Sequence, residues 1–192
     1  MISWADLLTL LFASMAVLYA SAARNKFTPP AQIQAAVAPA INQLTSPYER
    51  LTQSLSDEIA AGQLKISLTV QGIVVSLKDP SYFASGSDDI QPEALESIAK
   101  IAAVIRELPN PVRLEGHSDS IPIHNQKFRD NWSLSAARSA AVLAVLESRY
   151  QVSSQRLAIA AYADNQPVSE NESAEGRAQN RRVDIVILRD LR

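Results

Sequence analysis

Residues 64–77 read LKISLTVQGIVVSL, and this stretch decides the class of the fold. Leu64, Ile66 and Leu68 alternate with polar residues, and a second alternating run follows the turn at Gln71-Gly72. A period of two indicates β-strands, because successive side chains of a strand point to opposite faces of a sheet. Two such runs joined by a short turn predict a β-hairpin with one buried face.

The residues after the hairpin predict helices that alternate with strands. An apolar stripe at helical spacing starts at Pro92 and ends at Pro109, and an alanine-rich helix is expected from Ser133 to about Arg149. The remaining elements are strands at Val112–Glu115, Leu157–Tyr162 and Val183–Leu188 and a short helix at Glu175–Asn180. We therefore predict one α+β domain whose sheet is covered by helices on one face.

Composition and charge restrict the function of the chain. The 18 basic and 20 acidic side chains give a formal net charge of -2, so no basic surface for nucleic acid is expected. The chain has no cysteine, which excludes disulfides, thiolate metal sites and a catalytic thiol. His117 and His124 are its only histidines, and no pair of groups for acid-base catalysis is evident. We expect a protein that is not an enzyme and that has no metal site.

The N-terminal residues 2–23 predict a membrane span, because Asp6 is their only charged residue. A helix of this length is roughly 33 Å long, which is enough to cross a bilayer core. A cleaved signal peptide is the competing interpretation, since residues 20–23 resemble a cleavage site. However, no basic region precedes the apolar run, as a signal peptide requires.

Asp6 lies on one face of this predicted helix with small residues, and bulky apolar residues lie on the opposite face. Small-residue faces allow helices to approach each other, whereas a bulky face suits lipid. A carboxylate on such a face is typical of a proton or cation site formed with partner helices. The alternative is that Asp6 lies near the membrane surface and is simply hydrated.

Residues 24–63 predict a connector between the span and the domain. Pro29-Pro30 interrupts any helix, and two apolar stripes follow, at Ile33–Leu44 and Leu51–Ile59. Each stripe indicates either a short amphipathic helix that packs on a partner or on the membrane, or a spacer with some helicity.

Three polar segments of the domain are candidates for a binding site: Gly116–Asp119, Asn131–Arg138 and Asn180–Arg182. A carboxylate and a forked guanidinium that converge on one pocket suit a ligand with its own amine and carboxylate. Ordinary salt bridges and a turn capped by Asp119 are the alternatives.

Taken together, these segments carry a resemblance. The sequences GHSD (116–119), NWSLSAAR (131–138) and EGRAQNRRV (175–183), with FASGS (83–87), resemble the OmpA-like peptidoglycan-binding domain. The sequence SWADLLTLL (3–11) resembles the single transmembrane helix of the MotB family of flagellar motor stator subunits. The OmpA-like motifs and the MotB-like helix together are more specific than either resemblance alone.

The resemblance implies roles for individual residues. Asp119 and Arg138 match the pair that holds the diaminopimelate-type residue of the peptidoglycan stem peptide. Asn131, Leu134 and Arg182 match positions that support this pocket. Asp6 matches the acid that binds the translocated ion, either H⁺ or Na⁺, and no other cofactor is implied.

The resemblance also implies an architecture. Residues 1–23 would form a single-pass transmembrane helix in the bacterial inner membrane, and residues 24–63 a periplasmic linker whose Ile33–Leu44 stripe is a candidate plug for the channel. Residues 64–192 would form the OmpA-like domain in the periplasm, with a βαβαβ-type sheet. The implied partners are a second copy of the chain, multi-span channel subunits of the MotA type and the cell wall.

The N-terminus departs from the family. Members usually have a basic cytoplasmic tail, whereas this chain starts almost at Asp6 and has Arg24 and Lys26 after the span. Charge alone would place the C-terminal side in the cytoplasm, but an OmpA-like domain must meet peptidoglycan outside the inner membrane. Two other functions remain open: a structural wall anchor, and a stator-like unit outside the flagellum, as in the Zorya antiphage systems.

Overall fold

The computed structural model describes residues 44–189. The predicted membrane span at residues 2–23 lies outside this range, and so does most of the predicted connector. Within the described range, every helix is too short or too polar to traverse a bilayer.

The described residues form one mixed sheet with the strand order β1-β2-β5-β3-β4. The strands are β1 (Leu64–Leu68), β2 (Gly72–Lys78), β3 (Val112–His117), β4 (Leu157–Ala163) and β5 (Arg182–Leu188). Strand β5 lies between β2 and β3 and is antiparallel to both, whereas β3 and β4 are parallel. The last of these five strands in sequence therefore occupies the centre of the sheet.

Helices precede the sheet and connect its strands. They are α1 (residues 44–54), α2 (Ser56–Ala60), α3 (Asp79–Tyr82), α4 (Ala94–Glu107), α5 (Asn131–Ser148) and α6 (Ala174–Asn180). The α4 helix connects β2 to β3, and α5 connects the parallel strands β3 and β4. The predicted α+β class is thus confirmed for the described range.

The predicted hairpin is confirmed as β1 and β2, with Leu64 opposite Leu77 and Leu68 opposite Ile73. Gly72 starts β2 with a φ of +144°, a conformation that favours glycine. A Cβ atom at this position would lie 2.0 Å from the backbone oxygen of Ile187, so the hairpin can pair with β5 only because residue 72 is glycine.

One face of the sheet forms the hydrophobic core. Alternate residues of the central strands, such as Val75, Leu114 and Ile185, are fully buried against α4 and α5. The apolar stripe of α4 contributes Ile98 and Ile101, both with no exposed surface. Burying one such side chain stabilises the fold by about 1.5–3 kcal/mol, so this layer supplies most of the driving force.

Three leucines that precede the predicted start of the domain are part of its core. Leu44, Leu51 and Leu55 are 1%, 0% and 0% exposed and belong to the same core as the sheet. These leucines therefore belong to the same compact unit as the sheet, although they precede the predicted boundary between residues 63 and 64. The second stripe therefore packs on the domain itself, and Leu44 is a core residue, while the rest of the candidate plug lies outside the described range.

Two element ends also differ from the prediction. Strand β3 continues through Gly116 and His117, two residues beyond its predicted end at Glu115. The α5 helix starts at Asn131 because Asp130 caps it: the Asp130 carboxylate accepts a hydrogen bond from the Ser133 amide at 2.7 Å. Ser133 is the other member of this capping box rather than the N-cap itself.

Candidate functional site

A cleft of about 580 Å³ opens beside the ends of β2 and β3. Three chain segments contribute its walls: α3 with the loop that follows it, the loop after β3, and the first two turns of α5. Arg181, just before β5, completes the lining. The polar and charged residues that line it are Asp79, Ser85, Gln91, Ser118, Asp119, Asn131, Arg138 and Arg181. The apolar part of the wall includes Phe83, Ile121, Ile123 and Leu134.

Arg138 is fixed in the floor of this cleft, and its side chain is only 3% exposed. Its Nη2 atom lies 2.7 Å from Asp79 Oδ1, and its Nε donates to the backbone oxygen of Ser87 at 2.8 Å. The guanidinium also lies over the ring of Phe83, at 5.1 Å from the ring centroid. Burial lowers the pKa of Arg138 and raises the pKa of Asp79, although the two neighbouring arginines oppose the rise at Asp79.

Asp119 and Arg181 form the more accessible ion pair of the cleft. Arg181 Nη1 lies 2.6 Å from Asp119 Oδ2, and Arg181 Nε lies 3.5 Å from Asp79 Oδ2. The Asp79 amide also donates to the backbone oxygen of Arg181 at 3.0 Å. Cations and anions therefore alternate across the cleft, from Arg138 through Asp79 and Arg181 to Asp119.

Asn131 holds the loop that carries Asp119. Its Nδ2 atom donates to the backbone oxygens of Asp119 and Ile121, at 3.1 and 3.0 Å. Its Oδ1 accepts from the Ile123 amide at 3.2 Å, and the Ile121 amide donates to Asp119 Oδ1 at 3.0 Å. Asn131 thus fixes the backbone of the loop, and the loop fixes the Asp119 carboxylate.

Most of the site residues predicted from the sequence lie together. Asp119, Asn131, Leu134 and Arg138 all line the cleft. Arg182 does not, since it lies on the opposite side of the sheet, where its Nε pairs with Asp184 Oδ2 at 3.0 Å. The ion-binding role predicted for Asp6 falls outside the described residues.

Asp79 and Arg181 line the cleft without having been among the predicted site residues, whereas the predicted Arg182 does not line it. Adjacent residues of a strand point to opposite faces, so Arg181 and Arg182 cannot both face the cleft. Val183 and Ile185 are core residues. Continuing their alternation by two positions would have placed Arg181, and not Arg182, on the helix side of the sheet.

A second cluster of charged groups lies on the other face of the sheet, away from the cleft. His117 Nε2 is 3.5 Å from Asp184 Oδ2 and 4.0 Å from Glu115 Oε2, and all three residues are buried. This is the set of described residues with the spacing of metal ligands. Arg113 and Arg182 already pair with the two carboxylates and balance their charge. Burial and nearby Arg182 lower the pKa of His117 to about 4, so the ring is neutral at pH 7.

The arrangement of the cleft suits binding through ion pairs. A zwitterionic ligand would find a carboxylate for its amine and a guanidinium for its carboxylate within one pocket. Recognition of a charged ligand is the chemistry that these paired groups support.

Comparison with known proteins agrees with this description. The model of the OmpA family matches residues 82–181. Motility protein B of Bacillus subtilis is 29% identical over 76% of this chain and 56% of its own length. The chain spans 59% and 56% of two curated relatives that it matches, which is less than two thirds of each.

Two solved structures are also similar. The cell wall anchor of the T6SS from Pseudomonas aeruginosa superposes with a TM-score of 0.68 and 34% identity, over 74% of this chain and 99% of that one. The periplasmic domain of Helicobacter pylori MotB gives a TM-score of 0.60 and 28% identity, over 66% and 80% of the two chains. The resemblance seen in the sequence is therefore confirmed: the chain belongs to the OmpA family, and its relatives there include proteins named Motility protein B.

Proposed function

We propose that the described domain anchors the protein to the cell wall by binding the peptidoglycan stem peptide in the cleft. One observation carries this proposal: two carboxylates and two guanidinium groups converge in a single cleft of about 580 Å³. A diaminopimelate-type residue has an amine and a carboxylate on one carbon, so it can pair with both signs of charge at once. The similarity to a cell wall anchor and to MotB periplasmic domains supports the same proposal.

Ligand binding would exchange an internal ion pair for two ion pairs with the ligand. The Asp119 carboxylate pairs with Arg181 in the free domain, at 2.6 Å. An incoming ammonium group would bind Asp119, and the ligand carboxylate would bind the guanidinium groups of Arg181 and Arg138. Arg181 is the more accessible of the two, at 31% against 3% exposure. Asn131 and Leu134 would hold the wall of the cleft in place.

Calorimetric titration of the full chain with a diaminopimelate-containing stem tripeptide tests this proposal. Removing one partner of a charge-assisted hydrogen bond costs about 1.5–3 kcal/mol, so Asp119→Asn and Arg138→Gln should each weaken binding about tenfold or more. Glu147→Gln and Arg149→Gln make the same charge changes at exposed positions of α5 and its end, and should bind normally. Wild-type affinity in both cleft variants would reject the proposed pocket.

For the whole protein, we propose an ion-conducting stator subunit of the flagellar motor. Residues 1–23 would be the membrane helix, with Asp6 as the carboxylate that carries H⁺ or Na⁺. A dimer of this chain would assemble with multi-span subunits of the MotA type in the inner membrane, with the wall-binding domain in the periplasm. The apolar run around Asp6 and the similarity to Motility protein B support this proposal.

Motility of cells that carry Asp6→Asn or Asp6→Glu tests the ion-binding role, with the membrane level of each variant measured in parallel. We expect Asn to abolish swimming and Glu to retain part of it, since only Glu keeps the carboxylate. Normal swimming of the Asn variant would reject ion conduction through Asp6.

A purely structural wall anchor is the second candidate function. It is favoured by the similarity to the T6SS cell wall anchor, which this chain covers over 99% of its length. In that case Asp6→Asn would have no effect, whereas Asp119→Asn would release the protein from isolated cell walls. If the chain belongs to a stator-like unit of the Zorya type, its activity would still require Asp6, but the motility of the cells would not depend on this chain.

A further inference from the structure

A cavity of about 420 Å³ lies on the face of the sheet opposite the core helices α4 and α5, and it has no role in the proposed peptide site. It is lined mainly by side chains that carry a positive charge or a hydrogen-bond donor. They are Lys65, Ser67, Thr69, Ser76, Lys78, Gln179 and Arg182, with Asp184 as the only acid. The lining therefore has an excess of two positive charges.

The charges in this cavity are only partly compensated. Arg182 is paired with Asp184, and its other donors bind the backbone oxygens of Asn180 and Gln166 at 3.3 Å. Lys65 and Lys78 have no carboxylate within 4.0 Å among residues 44–189. Their two ammonium groups are the free cations of this surface, while the buried Arg182 adds to its positive potential.

The strand register concentrates these cations. Lys78 lies directly opposite Arg182, and Lys65 lies directly opposite Ser76. Lys65 and Lys78 are thus diagonal neighbours, within reach of each other for long side chains. Like charges placed directly opposite each other on a sheet are destabilising, so the Lys78 and Arg182 pair has an electrostatic cost in the free protein. A bound anion would remove this cost.

We propose that this cavity binds a phosphate group, as the free ion or as an ester in an anionic polymer. Phosphate offers several strong acceptor oxygens and up to two negative charges, which match two ammonium groups and the hydroxyls of Ser67 and Ser76 better than one carboxylate does. This site goes beyond the proposed wall-peptide function, because Lys78 and Arg182 face away from the cleft lined by their neighbours Asp79 and Arg181.

Thermal unfolding of the full chain in detergent, with inorganic phosphate against sodium chloride of equal ionic strength, tests this proposal. A site with a millimolar dissociation constant should raise the unfolding temperature by about 3–6 °C at ten times that concentration. Lys78→Gln should abolish the rise, and in chloride alone it should unfold at or above the wild-type temperature, because the like-charge pair is gone. Arg106→Gln, which removes a charge from the exposed end of α4, should keep the phosphate response.

Three outcomes would overturn the proposal: equal unfolding temperatures in phosphate and chloride, an unchanged phosphate response in Lys78→Gln, or the same response to acetate. A titration with a glycerol phosphate oligomer identifies the source of the phosphate. If the oligomer reaches half of its effect at a lower concentration of phosphate groups than inorganic phosphate does, the ligand is a polymer. An equal half-effect concentration would support the free ion.

Discussion

The contact between Gly116 in β3 and the α5 helix gives the sharpest test of how the fold builds the cleft. A Cβ atom added at Gly116 would lie 2.0 Å from the backbone oxygen of Ser135 and 2.7 Å from the hydroxyl oxygen of Ser139. A carbon and an oxygen in favourable contact are about 3.3 Å apart, so Gly116→Ala would separate the strand and the helix by about 1.3 Å. No rotamer change can relieve this contact, because the Ser135 oxygen belongs to the backbone.

The cost can be estimated for stability and for binding. Overpacking a core costs about 1–3 kcal/mol, and a clash with backbone belongs at the upper end. For a domain of this size that corresponds to a fall in unfolding temperature of about 6–12 °C. The displaced helix would also carry Arg138 away from Asp79 and Ser87, which it now contacts at 2.7 and 2.8 Å. We therefore expect stem-peptide affinity to fall about tenfold or more.

The assay is far-ultraviolet circular dichroism of the full chain during heating, combined with calorimetric titration of the stem tripeptide. Gly62→Ala is the control, since its added Cβ would meet no atom closer than 3.9 Å. Its φ of +69° makes alanine mildly unfavourable, so we expect a smaller fall in unfolding temperature and unchanged binding. If Gly116→Ala unfolds within about 2 °C of the wild type and binds normally, the packing argument is refuted.

Three further predictions concern stability, measured by urea unfolding. Leu51→Ala should lower the free energy of unfolding by about 2–5 kcal/mol, because Leu51 is fully buried. A decrease below about 0.5 kcal/mol, as for a surface substitution, would show that α1 is not part of the core. Asp130→Ala should lower the free energy of unfolding by about 1 kcal/mol, because it removes the N-cap of α5. An unchanged urea midpoint would contradict the capping box. His117 is neutral in the fold with a pKa of about 4, against 6.5 when unfolded, so the unfolded state binds more protons as the pH falls. Stability should therefore fall by about 2 kcal/mol between pH 7 and pH 5, and His117→Asn should show a correspondingly smaller change.

The elements of the fold were predictable where one periodicity dominated. The hairpin follows from the alternation in residues 64–77, and α4 follows from an apolar stripe between two prolines. Element ends were less predictable because they depend on single contacts. Gly116 and His117 extend β3 because they pair with β4 and β5, and those pairings cannot be read from the local sequence.

The stripe along α1 and α2 shows a different limit. The spacing of Leu51, Leu55 and Ile59 indicated an amphipathic helix, but the sequence did not say what its apolar face would contact. The structure assigns that face to the domain core, in which Leu51 and Leu55 are fully buried. The choice between a partner, the membrane and the domain itself is made by tertiary packing, for which periodicity gives no information.

The cleft was predictable in part for the same reason. Asp119 and Asn131 lie close to the ends of predicted elements, where polar residues commonly form sites, and Arg138 lies early in the predicted α5 helix. Asp79 also follows a predicted strand closely, as the first residue of α3, but nothing in the sequence linked that strand end to the other site segments. It reaches the cleft because β2 pairs with β5, which places the Asp79 amide 3.0 Å from the backbone oxygen of Arg181.

The alternation of charges in the cleft also bears on its selectivity. In the free domain Arg181 shares Asp79 and Asp119, whereas the buried Arg138 depends on Asp79. A ligand with only an amine would take Asp119 and leave Arg181 with its longer contact to Asp79 alone, at 3.5 Å. A ligand with only a carboxylate would compete with Asp119 and leave that 8% exposed side chain without its cation. Breaking a buried pair by removing one partner is costly, so a ligand that supplies both charges avoids a cost that either single charge incurs. The proposed preference for a zwitterionic residue therefore follows from the ion pairs of the free domain as much as from new contacts with the ligand.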